Sequence, residues 1–233
     1  MQKLNIPLGI NEKGETFLFD VSTAHHIFIT GKTGTGKTTL LYSIISYLLK
    51  NYSSNEISLH LVDCKATAFN QYVNSNQISP KQLSFSLLSS LRYLTLEMNK
   101  RFNLFSKNGA TNIGEFNATA KTKLSRIIVF IDEIGAVNKQ DEPFIKLLLS
   151  KLTAKAHGVG IHLIINSQRL IPNVFSPQTY ANIPTRITFR VQNAKDSILS
   201  TDQSGAENLD TGNFLFSDLR HIKPIKLKIA NIY

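Results

Sequence analysis

Apolar positions along the chain alternate between two rhythms. Short solid runs read as buried strands, and longer stretches with apolar residues at three- and four-residue spacing read as helices. His26-Ile27-Phe28-Ile29-Thr30 is the first clear strand, and it feeds a Gly-rich loop. Residues 38–50 follow as a helix, with Leu40, Leu41, Ile44, Ile45, Leu48 and Leu49 on one side. A strand is predicted over 57–62. Residues 81–107 contain neither Gly nor Pro. Within them Leu87, Leu91, Leu94, Met98, Phe102 and Phe105 mark a long amphipathic helix that stops at Asn108-Gly109. The run 127–131 predicts a central strand. Residues 142–156 predict a helix, with Pro143 in its first turn and Gly158 just past its end. Strands are predicted at 161–165 and 185–191, and weaker ones at 213–216 and 225–229. Alternating strands and helices imply an α/β domain whose mainly parallel sheet carries helices on both faces. No repeat or low-complexity tract interrupts the pattern, so one domain is expected over residues 1–233.

The loop after the first clear strand is GKTGTGKT, Gly31 to Thr38, which matches G-x-x-x-x-G-K-[ST] between a strand and a helix. Its glycines let backbone N–H groups converge on a β-phosphate without Cβ clashes. Lys37 supplies a cation to the β- and γ-phosphates, Thr38 offers a hydroxyl to Mg²⁺, and the helix N-terminus adds positive potential. The nucleotide-binding set is Gly31, Lys32, Thr33, Gly34, Thr35, Gly36, Lys37, Thr38 and Thr39. The ligands expected are ATP and Mg²⁺.

IIVFIDE, residues 127–133, is the matching second motif. The strand delivers Asp132 to its C-terminal edge, where a carboxylate holds Mg²⁺ through water. Glu133 follows, placed to orient and deprotonate an attacking water.

Charge adds a possible partner. The net charge is +10, and residues 143–195 carry Lys146, Lys151, Lys155, Arg169, Arg186, Arg190 and Lys195 without one carboxylate. Four more cations and no acid lie between Leu219 and Tyr233. A basic face suits a polyanion such as nucleic acid; a compositional bias toward Lys and Asn is the plainer explanation. Cys64 is the single cysteine, so an internal disulfide is excluded and a reducing, cytoplasmic setting is expected. No run approaches the roughly 20 apolar residues of a membrane span, and the N-terminus has no secretory h-region.

Several stretches together resemble the FtsK/SpoIIIE family of ATPases. IPLGINEKGETFLFDVSTAHHIFITGKTGTGKT resembles the family's run into its phosphate loop. VDCK (62–65) resembles its Asp-x-Lys, LEMNKRFNLF (96–105) its Glu-Met-x-x-Arg-Tyr segment, and TNIGEFN (111–117) the loop after it. The most specific match is HGVGIHLIINSQRL followed by NIPTRITFRVQNAKDSILSTDQSGAENLDTGNFLF. Departures are Thr111, where the family's DNA translocases tend to carry arginine, Ser167 in place of threonine, and Leu170 in place of proline.

The resemblance implies a RecA-like P-loop NTPase of the glutamate-using branch, with a central mostly parallel sheet. It implies catalytic roles for Lys37 and Glu133, a γ-phosphate-sensing role for Gln168, and metal binding by Thr38 and Asp132. Arg101 resembles the arginine that reaches a neighbouring subunit's nucleotide, with Arg186 and Arg190 as rivals. The implied assembly is a homo-oligomer, a hexameric ring threading a polymer. Double-stranded DNA is the first reading, for chromosome partition or conjugative transfer. A protein substrate, as in the ATPase modules of type VII secretion, is the second, and a non-hydrolysing nucleotide-gated ring the third. The family's membrane segments and winged-helix domain have no counterpart in this chain, so a membrane-anchored partner or a membrane segment elsewhere is implied. Lys107, Lys121 and Lys123 flank the loop expected to face the pore, and Asp63 and Lys65 are placed for the phosphate site or the pore. His25, His26 and His162 read as structural, Cys64 as redox-inert, and Phe85, Phe102, Phe105, Phe175 and Phe189 as core.

Overall fold

The computed structural model describes residues 3–72, 78 and 83–230. Its ten strands form one sheet in the order β2-β1-β10-β9-β8-β3-β7-β6-β4-β5. The strands are β1 (Asn5–Ile10), β2 (Thr16–Asp20), β3 (Ile27–Thr30), β4 (Ile57–Asp63), β5 (Leu83–Ser84), β6 (Arg126–Asp132), β7 (Ile161–Ser167), β8 (Thr185–Thr188), β9 (Asn213–Ser217) and β10 (Ile225–Lys228). From β8 to β5 every pairing is parallel, whereas β8, β9, β10, β1 and β2 are joined antiparallel. The sheet is therefore mixed and mostly parallel, as predicted.

The helices are α1 (Lys37–Asn51), α2 (Leu87–Lys107), α3 (Ile113–Thr119), α4 (Glu142–Lys155), α5 (Pro177–Ala181) and α6 (Ala194–Thr201). β6 shows how they divide. Its Ile128 and Phe130 join α1 and the antiparallel strands in one core, while Ile127, Val129 and Ile131 meet α2 and α4 in a second. All seven residues of β6 are buried because both faces are covered, which is why its sequence is a solid apolar run rather than an alternating one.

The structure differs from the sequence reading in several places, among them two element boundaries and one missed strand. α2 begins at Leu87, where the Ser86 hydroxyl accepts from Ser89 N–H; the expected start near Lys81 lies outside the described residues. β5, two residues long, offers too little pattern to be read. β8 leaves regular pairing after Thr188, because its continuation supports the phosphate loop: Phe189 N–H donates to Thr30 O, and Arg190 O accepts from Lys32 N–H, both at 2.8 Å. Phe105, Phe175 and Phe189 are buried as expected, but Phe85 is 55% exposed, since it precedes the α2 cap instead of lying inside a helix.

The histidines lock β3 to its neighbour. Leu163 N–H donates to His26 Nδ1 at 3.0 Å. His162 Nδ1 lies 2.8 Å from Ala24 O, and its Nε2 lies 3.3 Å from Arg126 Nη1. Arg126 can only donate, so His162 is neutral, with its proton on Nδ1. Burial, and then the Arg126 charge, bring its pKa down to about 4. An unfolded chain binds that proton near pH 6.5, so this histidine's contribution to stability is complete above pH 6.5 and lost as pH falls toward 4. About 2 kcal/mol should disappear between pH 7.5 and pH 5. Urea unfolding at the two pH values checks it: His162→Gln, which does not titrate, should lack that part of the loss.

Candidate functional site

The site lies at the carboxyl edge of the parallel strands, where α/β folds bind their ligands. β3 is flanked by β7 and β8, with β6 just beyond β7. That order brings the loop after β3, the end of β6 and the end of β7 together, although they come from three distant parts of the chain. β4 stands on the other side of β6, with Asp63 beside Asp132 in register.

The phosphate loop is shaped by positive-φ glycines. Gly31 has φ 143° and Gly36 has φ 114°. A Cβ on Gly31 would lie 2.7 Å from the Cβ of Phe189, and one on Gly36 2.7 Å from Ile229 Cδ1, so both positions combine a backbone and a space requirement. Thr35 is buried, and its hydroxyl donates to Lys32 O at 2.7 Å. Lys37 Nζ donates to the same carbonyl at 2.8 Å. No side chain caps α1, and its first turn contains no acid. Its leading N–H groups are thereby left for an anion.

A cleft of about 400 Å³ collects Thr33, Gly34, Gly36, Lys37, Thr38 and Thr39 from the loop and α1, Asp132 and Glu133 from β6, and Asn166 and Gln168 from β7. Lys65, Thr67 and Thr211 complete its wall. Most of the residues expected from the sequence are thus side by side. Gly31 and Thr35 shape the loop from behind, and Lys32 lines an adjoining cavity of about 700 Å³ with Arg169 and Asp196.

Charge in the cleft is balanced across its two walls. Burial lowers the Lys37 pKa, Glu133 and Asp132 oppose that shift, and Lys65 adds to it. Burial raises that of Asp132, against the hydrogen bond from Asn166; Asp63 and Glu133 push it further up. Asn166 Nδ2 donates to Asp132 Oδ1 at 2.6 Å. Sequence reading missed Asn166; its signal is a polar residue directly after the apolar run Leu163-Ile164-Ile165, two positions before Gln168. Glu133 begins a short 3-10 turn in the left-handed region, at φ 51° and ψ 63°. Its Oε1 accepts from Gln168 N–H at 3.3 Å, and its Oε2 lies 3.6 Å from Lys65 Nζ.

The donor set suits magnesium. Thr38 and Asp132 offer hard oxygens, and buried Asn166 Oδ1 has no hydrogen-bond partner among the described residues. Among the described residues no cluster of three or more His, Cys, Asp and Glu forms a metal site. Cys64 is a half-buried, inert thiol, its pKa raised to about 12 by desolvation and then by Asp132, Asp63 and Glu133.

Arg101, expected to reach a neighbouring subunit, is 4% exposed and its guanidinium is bonded within its own chain. Its Nε donates to Glu97 Oε1 at 2.9 Å, and its Nη1 to Ser125 O and Val159 O at 2.9 and 3.0 Å. Arg186 stacks over the Tyr180 ring at 3.9 Å and pairs with Asp202 at 3.4 Å. The acid-free stretch is also not one face. Arg169 adjoins the cleft, while Lys155 ends α4 at the far side of the sheet. Lys121 and Lys123 precede β6 on that far side, about 20 Å from Asp132 by the length of the strand.

A loop-and-helix phosphate cradle, an aspartate-glutamate pair at the end of the strand two places away and a sheet of this order define a P-loop NTPase. The FtsK/SpoIIIE family model matches residues 1–207, and the chain belongs to that family. The DNA translocase SpoIIIE of Bacillus subtilis (strain 168) is 31% identical over 245 aligned positions, covering 98% of this chain and 31% of that protein. The chain thus spans about a third of the length of such curated relatives. The pCW3 conjugation coupling protein TcpA, solved with ATPγS, superposes with a TM-score of 0.83 at 26% identity, over all of this chain and 67% of that one. The cytoplasmic domain of the type VII secretion ATPase EccC from Thermomonospora curvata shares the fold, with a TM-score of 0.84 at 19% identity over 98% of this chain and 28% of that one.

Among the described residues, no helix is long and apolar enough to cross a membrane.

Proposed function

We propose that this chain is the ATP-hydrolysing module of a ring, most simply a hexamer, that moves along double-stranded DNA. The observation that carries the proposal is one cleft gathering the phosphate loop, Asp132, Glu133 and Gln168, in a chain 98% of which aligns with a DNA translocase. Loop N–H groups and Lys37 hold the β- and γ-phosphates. Thr38 and Asp132 would hold Mg²⁺, which supplies charge neutralisation at the phosphates when bound. Glu133 takes a proton from the attacking water, and Gln168, next to it, reads whether the γ-phosphate is present. With Arg101 buried, the arginine completing the site from the next copy is Arg186 or Arg190. A membrane-anchored partner, or a membrane segment elsewhere in a longer protein, would hold the ring at the cytoplasmic side of the membrane.

A translocase must pass any sequence, so DNA should be held by its phosphates. Lys107, Lys121 and Lys123 are exposed at the far edge of the sheet, where a duplex can be gripped without blocking the nucleotide cleft. Binding should weaken steeply with salt: a handful of phosphate contacts gives a log–log slope of about −4 to −6. Titrating plasmid DNA into an ATPase assay at low and physiological salt tests this. Long duplex of any sequence should stimulate turnover, and Ala at all three lysines should flatten the slope and reduce the stimulation. A flat response at both salt levels, with activation by a short substrate peptide instead, would move the assignment to protein transport.

A further inference from the structure

The end of β4 contains a fully buried carboxylate, Asp63, that does not line the nucleotide cleft. Asp63 accepts three backbone hydrogen bonds, from Lys65 N–H at 3.2 Å, Ala68 N–H at 2.7 Å and Phe69 N–H at 3.0 Å. Cys64 N–H donates to Asp132 O at 3.3 Å, and Ala66 takes a left-handed φ of 57°. The backbone of residues 63–69 is therefore pinned to the strand that ends in Asp132. From this pinned loop Lys65 extends into the nucleotide cleft, and its ammonium meets the second oxygen of Glu133.

Stability alone gives this ion pair little to do. The Lys65 side chain is 44% exposed, and pairs at such sites contribute roughly 0–1 kcal/mol. The pair matters for geometry. Glu133 follows the last strand residue in a left-handed conformation, so its carboxylate is not aimed by regular strand structure. One oxygen is fixed by Gln168 N–H and the other faces Lys65. A general base acts only when its oxygen is within hydrogen-bond reach of the water it activates.

We propose that Lys65 is a positioning residue for Glu133: anchored through Asp63, its ammonium holds the Glu133 carboxylate in the orientation that meets the attacking water. Lys65 thereby couples the loop after β4 to the hydrolytic step, and the Asp-x-Lys sequence at 63–65 is one device, with the aspartate fixing the backbone and the lysine fixing the base. This rests on the reading that Glu133 activates water in this chain.

The test is Lys65→Met, compared with Lys65→Arg, Glu133→Gln and the double variant. Loss of positioning should reduce kcat by about 10–100-fold, the range of an ångström-scale misplacement. Affinity for ATPγS should change less than about 3-fold, and the melting temperature should not move, because a half-exposed pair contributes so little. Lys65→Arg, which keeps a cation at this position, should recover most of the turnover. In the Glu133→Gln background, Lys65→Met should change single-turnover hydrolysis no further. Unchanged kcat in Lys65→Met overturns the inference while leaving the assignment of Glu133 intact, provided Glu133→Gln is inactive. A loss of ATPγS affinity as large as the loss of kcat also overturns it, by making Lys65 a nucleotide ligand. So does a fall in melting temperature that accounts for the lost activity.

Discussion

Glu133→Gln should bind ATP as the unaltered chain does and release phosphate about 10²–10⁴-fold more slowly. The amide is nearly the same size as the carboxylate, and its carbonyl oxygen can still accept from Gln168 N–H, as Oε1 does. It cannot take a proton, and it no longer attracts Lys65. Lys37→Ala should fail earlier, at binding. Lys37 is 6% exposed and its ammonium is tied to the carbonyl of Lys32, so its removal takes the buried cation from the loop. The two variants separate binding from chemistry. Titration with a fluorescent ATP analogue should saturate for Glu133→Gln and fail for Lys37→Ala, while a phosphate-release assay is blank for both. Phosphate release near the normal rate by Glu133→Gln would remove that residue from the mechanism.

The parts of this site that local pattern specifies were legible before any coordinates. The phosphate loop and the Asp132-Glu133 pair each need only a few adjacent residues and a strand of the right hydrophobicity. Lys65 and Asn166 gain their meaning from strand order. That β7 lies between β3 and β6, and β4 beyond β6, is decided by packing and crossover handedness among distant segments, so no local spacing shows that Asn166 reaches Asp132 or that Lys65 reaches Glu133. The short β5 was missed, and β8 was read three residues too long, for a related reason: two to four residues carry too little periodicity, and the role of Arg190 as a backbone support for the loop depends on a neighbour far away in sequence.

Arg101→Ala should lower stability and should not act across a subunit boundary. Its position was readable: Leu94, Met98, Arg101 and Phe105 fall at steps of 4, 3 and 4, on the buried face of α2. The apolar alternative, Phe102, draws the eye one residue aside, yet it is the less buried of the two. The Arg101 guanidinium ties α2 to the segment entering β6 and to the turn entering β7. Glu97, whose side chain is 18% exposed, holds its Nε. Truncation leaves two carbonyls and a mostly buried carboxylate without that partner. Breaking a buried pair by removing one member costs about 3–5 kcal/mol, and the partial exposure of Glu97 favours the lower end. For a domain of this size about 3 kcal/mol corresponds to a fall of roughly 6–12 °C in melting temperature. Thermal melts of the purified variant measure that directly. Mixing it with Lys37→Ala subunits, at a temperature where both are folded and assembled, tests the other half. An arginine acting within its own chain gives no recovery of ATPase activity, whereas mixing Arg186→Ala or Arg190→Ala with Lys37→Ala restores part of it through whichever residue crosses the boundary. Recovery with Arg101→Ala, together with an unshifted melting temperature, would return the trans role to Arg101 and require the buried arrangement to open on assembly.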